Sequence, residues 1–138
     1  MKSVMIILAL LLTSVTTGRS SGLGPRVPVP VSMLQLIATP ERFDGKSVGA
    51  IGYLVLHNGG GFLYLHREDS DFGLYVNALK IEFDRESSSD DPAFDSHYLY
   101  LIGSFDAKDK GPLSAFGGSI KDAKVIALWS APKIPLAK

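Results

Sequence analysis

From residue 47 to residue 129, apolar positions recur in five short runs separated by polar, glycine-rich breaks. The run "YVNALKIEF" (75–83) alternates strictly over its second half. Leu79, Ile81 and Phe83 project one way, Lys80 and Glu82 the other, the period-two signature of a half-buried strand. "SVGAIGYLVL" (47–56) and "FLYLHRE" (62–68) are more continuously apolar. They flank "HNGGG", whose Asn-Gly pair predicts a hairpin with positive-φ residues at its tip. "HYLYLIGSFDA" (97–107) and "SIKDAKVIALW" (119–129) predict two further strands. Ahead of these, "SMLQLIATPERF" changes period. Ser32 and Gln35 have the spacing of a capping box, Met33, Leu34, Leu36 and Ile37 can bury one side of a helix, and Thr39 with Pro40 predicts a second cap. A short helix or helical turn is therefore expected over 32–43. The polar segment 84–96 is expected to be a loop with at most one helical turn.

Glycines inside the strands change this picture. Gly49, Gly52 and Gly103 each weaken a strand by about 1 kcal/mol or less, so their presence implies a geometric need. The need is explained if the five strands coil into a small closed barrel with bends or bulges at those points. A repeated device supports the same reading. "FDGK" at Phe43 and "FDSH" at Phe94 lie 51 positions apart, and each precedes, one residue on, a run of four strand residues and then a glycine, Gly52 and Gly103. Both are read as Asp-led turns that start a strand. The predicted fold is all-β with one or two short helices, a five-stranded OB-like Greek-key barrel over 32–129.

The quoted stretches "PERFDGKSVGAIGYL", "LYLHRED", "NALKIEF" and "LIGSFDAKDKGPLSAFGGSIKDAKVI" resemble the OB-fold superfamily, and more closely its small exported bacterial members, most of which have no assigned activity. The resemblance covers nearly all of 32–129. It implies a five-stranded Greek-key barrel and, where such barrels bind, a site on the face of the second and third strands with the flanking loops. It supplies no catalytic residues.

The N-terminus "MKSVMIILALLLTSVTTGRSSG" has a positive start at Lys2, an apolar core from Val4 to Leu12 and small residues near Gly18 and Gly22, the layout of a cleavable export signal. Its apolar core falls short of the roughly 20 residues that span a bilayer. The expected organisation is a signal peptide at 1–22 with cleavage near Gly18 or Gly22, a proline-rich linker at 23–31, the barrel at 32–129 and a C-terminal tail at 130–138. The expected location is periplasmic or secreted, with no membrane span after cleavage.

Composition narrows the chemistry. The 138-residue chain is 46% hydrophobic, has 14 basic and 14 acidic residues, and contains no cysteine. Thiolate chemistry, disulfides and cysteine-held zinc are thereby excluded, and the balanced charge argues against a nucleic-acid partner. Alternation places Phe62, Tyr64 and His66 on one strand face, with Lys80 on the neighbouring strand, and these four are the candidate ligand-binding residues. The rings are either a stacking platform or packing, and packing is favoured because aromatic residues are common in strands for that reason alone. His66, Glu68, Asp69 and Asp71 in "HREDSD" match no metal-binding spacing and are read as a solvated strand-end loop. No serine sits in a nucleophile elbow, and the glycine run lacks the lysine of a phosphate loop.

No catalytic residue, metal ligand or cofactor is assigned. The leading expectation is an exported, non-enzymatic binding or adaptor module for a protein or a small polar, saccharide-type ligand. The alternatives are a single-stranded nucleic-acid-binding OB domain and a metal-dependent enzyme built on the "HREDSD" cluster.

Overall fold

The computed structural model describes residues 26–87 and 91–130. The expected export signal, the first residues of the linker and all but one residue of the tail lie outside the described residues. Among the described residues no helix is long and apolar enough to cross a membrane.

The chain enters along the barrel wall. Val29–Pro30 forms a two-residue strand, β1, parallel to the start of β2 (Ser47–His57), with Val29 opposite Val48. The Val31 amide then donates to the Gly49 carbonyl at 2.9 Å. The proline-bearing run is thus extended, and its last residues are stitched to the domain. Helix α1 (Met33–Ala38) follows with the expected capping box, in which the Gln35 amide donates to Ser32 Oγ at 3.2 Å and the Ser32 amide to Gln35 Oε1 at 3.3 Å. Met33 and Leu36 are buried and close one end of the barrel. Thr39 does not cap the following 3-10 turn, Pro40–Arg42. Its hydroxyl instead donates back to the Gln35 carbonyl at 3.1 Å.

β2 runs into β3 (Gly60–Tyr64) through the Asn58–Gly59 turn, where both residues have positive φ, 42° and 78°. That is the backbone twist two-residue hairpins require. β4 (Ala78–Phe83), β5 (His97–Asp106) and β6 (Ser119–Leu128) complete the set. The ring order is β2-β3-β4-β6-β5, closed by β5 pairing back on β2, with only the β4–β6 contact between barrel strands parallel. This is a closed, OB-like five-stranded Greek-key barrel, as the strand pattern predicted. Val48, Leu54, Leu63, Leu79, Leu101 and Phe105 are among the inward side chains that fill it, essentially without solvent exposure.

The repeated turn is a local two-fold. β5 lies antiparallel on β2 with Ala50 opposite Leu101, which are themselves 51 positions apart. In the first copy, Gly45 (φ 72°) donates its amide to the Phe105 carbonyl at 2.8 Å, and Asp44 Oδ1 accepts from the Ala107 amide at 3.0 Å. In the second, Ser96 (φ 59°) donates to the Leu54 carbonyl at 2.8 Å, and Asp95 Oδ1 accepts from the Leu56 amide at 2.8 Å. Each Asp–turn pair clips the far end of the other strand, so one sequence device anchors both ends of the β2–β5 seam. Gly52 and Gly103 are equivalent under the same relation and sit where the barrel closes. A Cβ on Gly52 would lie 2.8 Å from the Tyr64 carbonyl oxygen, and one on Gly103 the same distance from that of Lys121.

Three expectations are corrected. The second strand ends at Tyr64 rather than at Glu68, and Arg67–Asp71 forms a short helix, α2, where a solvated loop was expected. Asp69 is buried there. Its Oδ2 accepts from the His66 amide at 3.0 Å and its Oδ1 from Asn77 Nδ2 at 2.8 Å. A carboxylate held by two donors fixes the helix start and the return of the chain together. The third strand begins at Ala78, because Tyr75–Asn77 is a 3-10 turn.

Candidate functional site

On the outer face of the barrel, the β2–β3–β4 pairing lines up two rows, Val55–Phe62–Lys80 and Tyr53–Tyr64–Ala78. Left bare, these rings would expose a large apolar patch. Two loops cover them. Tyr75 descends from the 3-10 turn after α2, and Phe116 from the β5–β6 loop. Phe116 stacks on Phe62 with centroids 4.9 Å apart, while His57 stacks on the same ring at 5.4 Å. Tyr75 meets Phe116 edge-on at 5.4 Å and Phe62 at 6.1 Å. Tyr53, Tyr64, Ala78 and Phe116 are buried in this second, external core. The packing reading of the rings holds, with the qualification that the packing lies outside the barrel and is incomplete.

What the loops leave uncovered is a cleft of about 580 Å³ above Phe62 and Tyr64, walled by His57, Tyr75, Pro112 and Leu113, with Ser70 at its edge. It is larger than the depressions of about 450 Å³ beside Met33 and about 410 Å³ beside Trp129. Leu113 is fully exposed, and it and Ser114 hold left-handed backbone (φ 55° and 53°), a strained conformation for a leucine. The Tyr64, Tyr75 and Ser70 hydroxyls make no hydrogen bond among the described residues. Burial first, and the Tyr75 phenol second, push the Tyr64 phenol above its ordinary value, so it remains a neutral donor at physiological pH.

Lys80 borders the cleft without charging it. Its Nζ lies 2.7 Å from Glu82 Oε1 and 3.3 Å from Asp109 Oδ2. The hydrogen bond to Glu82 is the main reason its pKa is raised. The network continues from Asp109 to Lys121 at 3.4 Å and from Lys121 to Asp106 at 2.9 Å. The bond from Lys121, with the Lys108 and Asp109 amides, draws the Asp106 carboxyl down to about 2. Burial opposes ionisation of Asp109, but the Gly111 amide and Lys80 outweigh it and hold that carboxyl low. The charges around Lys80 therefore form one alternating ladder.

Of the four candidate residues, Phe62 and Tyr64 line the cleft, Lys80 stands beside it, and His66 does not take part. His66 leaves the strand and faces a separate depression with Ile51, Leu65, Tyr98 and Trp129. Tyr75 and Phe116 were not singled out from the sequence. Phe116 stands in a turn-rich segment where no alternation marks a face, and Tyr75 stands at the head of a run whose alternation begins only at Leu79. The proposed metal cluster is not assembled. Asp69 is occupied by His66 and Asn77, Asp71 lies 3.7 Å from Arg67, and among the described residues no three His, Asp or Glu side chains converge on one point.

Comparison with protein-family models, with curated proteins and with solved structures gave no match to this chain.

Proposed function

We propose that this chain is an exported, non-enzymatic binding or adaptor module of the OB-fold superfamily, taking an uncharged protein segment or a saccharide-type ligand in the Tyr75–Phe62–Phe116 cleft. The observation that carries the reading is that this cleft combines exposed rings with hydroxyl donors that have no partner among the described residues, beside a lysine already held by two carboxylates. Such a surface favours uncharged ligands, since a charged one would be desolvated without a counter-charge. The leader-like N-terminus supports export, and the strand order supports the superfamily assignment.

Glycan and peptide arrays probed with the purified chain test the proposal. A saturable ligand whose signal falls with Tyr75→Ala is expected. No ligand above background on either array, together with a hydrolytic activity in the same preparation, overturns it. Single-stranded nucleic acid is the second reading, favoured by the exposed rings of His57 and Tyr75. Labelled oligonucleotides at two salt concentrations separate the two, since phosphate binding without a cationic track should be undetectable even at low salt.

A further inference from the structure

The chemistry of the cleft lining goes further than its lack of charge. The polar side chains of its lining are three hydroxyls and one imidazole, from Ser70, Tyr64, Tyr75 and His57, with no carboxylate, carboxamide or guanidinium among them. A sugar presents vicinal hydroxyls, each both donor and acceptor, and a buried hydroxyl without partners costs about 1–3 kcal/mol. Planar two-pronged groups that could satisfy such pairs are missing from the walls. A peptide in polyproline II form makes the opposite demand. It has no internal hydrogen bonds, its carbonyls need only donors, and its prolines have no amide to satisfy. Tyrosine and serine hydroxyls supply donors of that kind, and proline rings pack on aromatic faces.

The charge pattern agrees. Lys80 is held by Glu82 and Asp109, so the cleft offers no free charge to a charged segment and complements an uncharged one. His57 and Tyr75 both contact the Phe62 ring, at 5.4 and 6.1 Å, so the three rings form one aromatic surface on which proline rings can pack.

From these observations we infer that the occupant of the cleft is an uncharged, proline-bearing peptide segment in the polyproline II conformation, with its carbonyls accepting from the Tyr64, Tyr75 and Ser70 hydroxyls. The inference rests on the binding-module reading and narrows its ligand class.

The test is an NMR titration of the purified chain, following the ring signals of Phe62, Tyr64 and Tyr75, with acetyl-decaproline-amide. A glycine-serine decapeptide, chitohexaose and a twelve-nucleotide oligothymidine serve as comparisons. Decaproline is expected to saturate the cleft signals, and Tyr75→Ala and His57→Ala are each expected to weaken it by about tenfold or more, roughly 1.4 kcal/mol. Phe72→Ala, an exposed ring outside the cleft lining, should leave the affinity unchanged. Two exposed wall positions are used so that failure of one variant to fold leaves the other informative. Saturation by chitohexaose and not by decaproline overturns the inference while the binding-module reading stands. Saturation by oligothymidine alone overturns both. Silence from all four probes overturns the polyproline assignment, and the array screen then decides separately whether the module reading survives.

Discussion

Gly103→Ala isolates the physical reason for a glycine in a strand. Its φ is unexceptional, so an alanine would suffer no backbone strain, and any loss of stability must come from contact. A Cβ there would collide with Ile120 Cγ2 and stand 2.8 Å from the Lys121 carbonyl oxygen and 3.2 Å from Ala123 Cα. Two of these three obstacles are backbone, and the third belongs to a side chain with no exposure, so β5 and β6 would have to separate. Overpacking of this kind costs about 1–3 kcal/mol and occasionally more. The lost chain freedom of the unfolded state returns about 0.5–1 kcal/mol for a Gly→Ala change. A net loss of about 1–2 kcal/mol is expected, worth about 4–8 °C in Tm for a domain of this size. Gly49→Ala is the control. Its Cβ would also collide, but its three nearest atoms all belong to the half-buried Tyr100 side chain, which can swing aside. That variant should stay within about 0.5 kcal/mol of the parent, as substitutions without a buried obstacle do. Urea unfolding followed by circular dichroism and by Trp129 emission measures both, with an unchanged m-value confirming that the same surface unfolds. A Gly103→Ala variant as stable as the parent, or less damaged than Gly49→Ala, would refute the account of barrel closure.

Two further predictions use the charged side chains. Asp95→Ala should cost about 1–3 kcal/mol because it strips the half-buried Leu56 amide of its acceptor, whereas Asp44→Ala should cost less than about 1 kcal/mol because water can reach Ala107; equal losses in thermal melts would count against the burial argument. Asp106 has a folded carboxyl pKa drawn from 3.8 to about 2, so its stabilising contribution is present above 3.8 and is lost as the pH falls toward about 2. Asp106→Asn should flatten that part of the stability-against-pH curve, and an unchanged acid limb would show that Lys121 does not hold the carboxylate in solution.

What could be read from the sequence was whatever a few neighbouring residues specify by themselves. Ser32 and Gln35 make their capping box within four residues, and Asn58–Gly59 makes its turn within two. The repeated Phe-Asp motif was visible as a repeat, but not as a two-fold, because that relation exists only once Ala50 faces Leu101. The failures have a common cause. "FLYLHRE" keeps an apolar alternation through Leu65, so nothing local stops the strand at Tyr64. What stops it is Asp69 reaching Asn77, a bond across eight positions. The candidate site was half legible for the same reason. Phe62 and Tyr64 lie in an alternating strand, and their outward direction follows from the register.

Tyr75 and Phe116, by contrast, reach the cleft only because loops fold over the barrel, and the ladder from Lys80 to Asp106 joins side chains from β4, β5, the β5–β6 loop and β6. That ladder has a consequence for the site as a whole. Asp109 is tied both to Lys80 on β4 and to Lys121 on β6, and it accepts from the Gly111 amide immediately before Pro112 and Leu113. The loop that carries Leu113 and Phe116 over the rings is therefore pinned at its root by charge and at its end by the Phe116–Phe62 stack. The strained left-handed pair at Leu113 and Ser114 lies between those two anchors. Such strain persists only where its surroundings over-determine it. The same ion pairs that leave Lys80 no free charge to offer the cleft thus hold its exposed apolar wall in place.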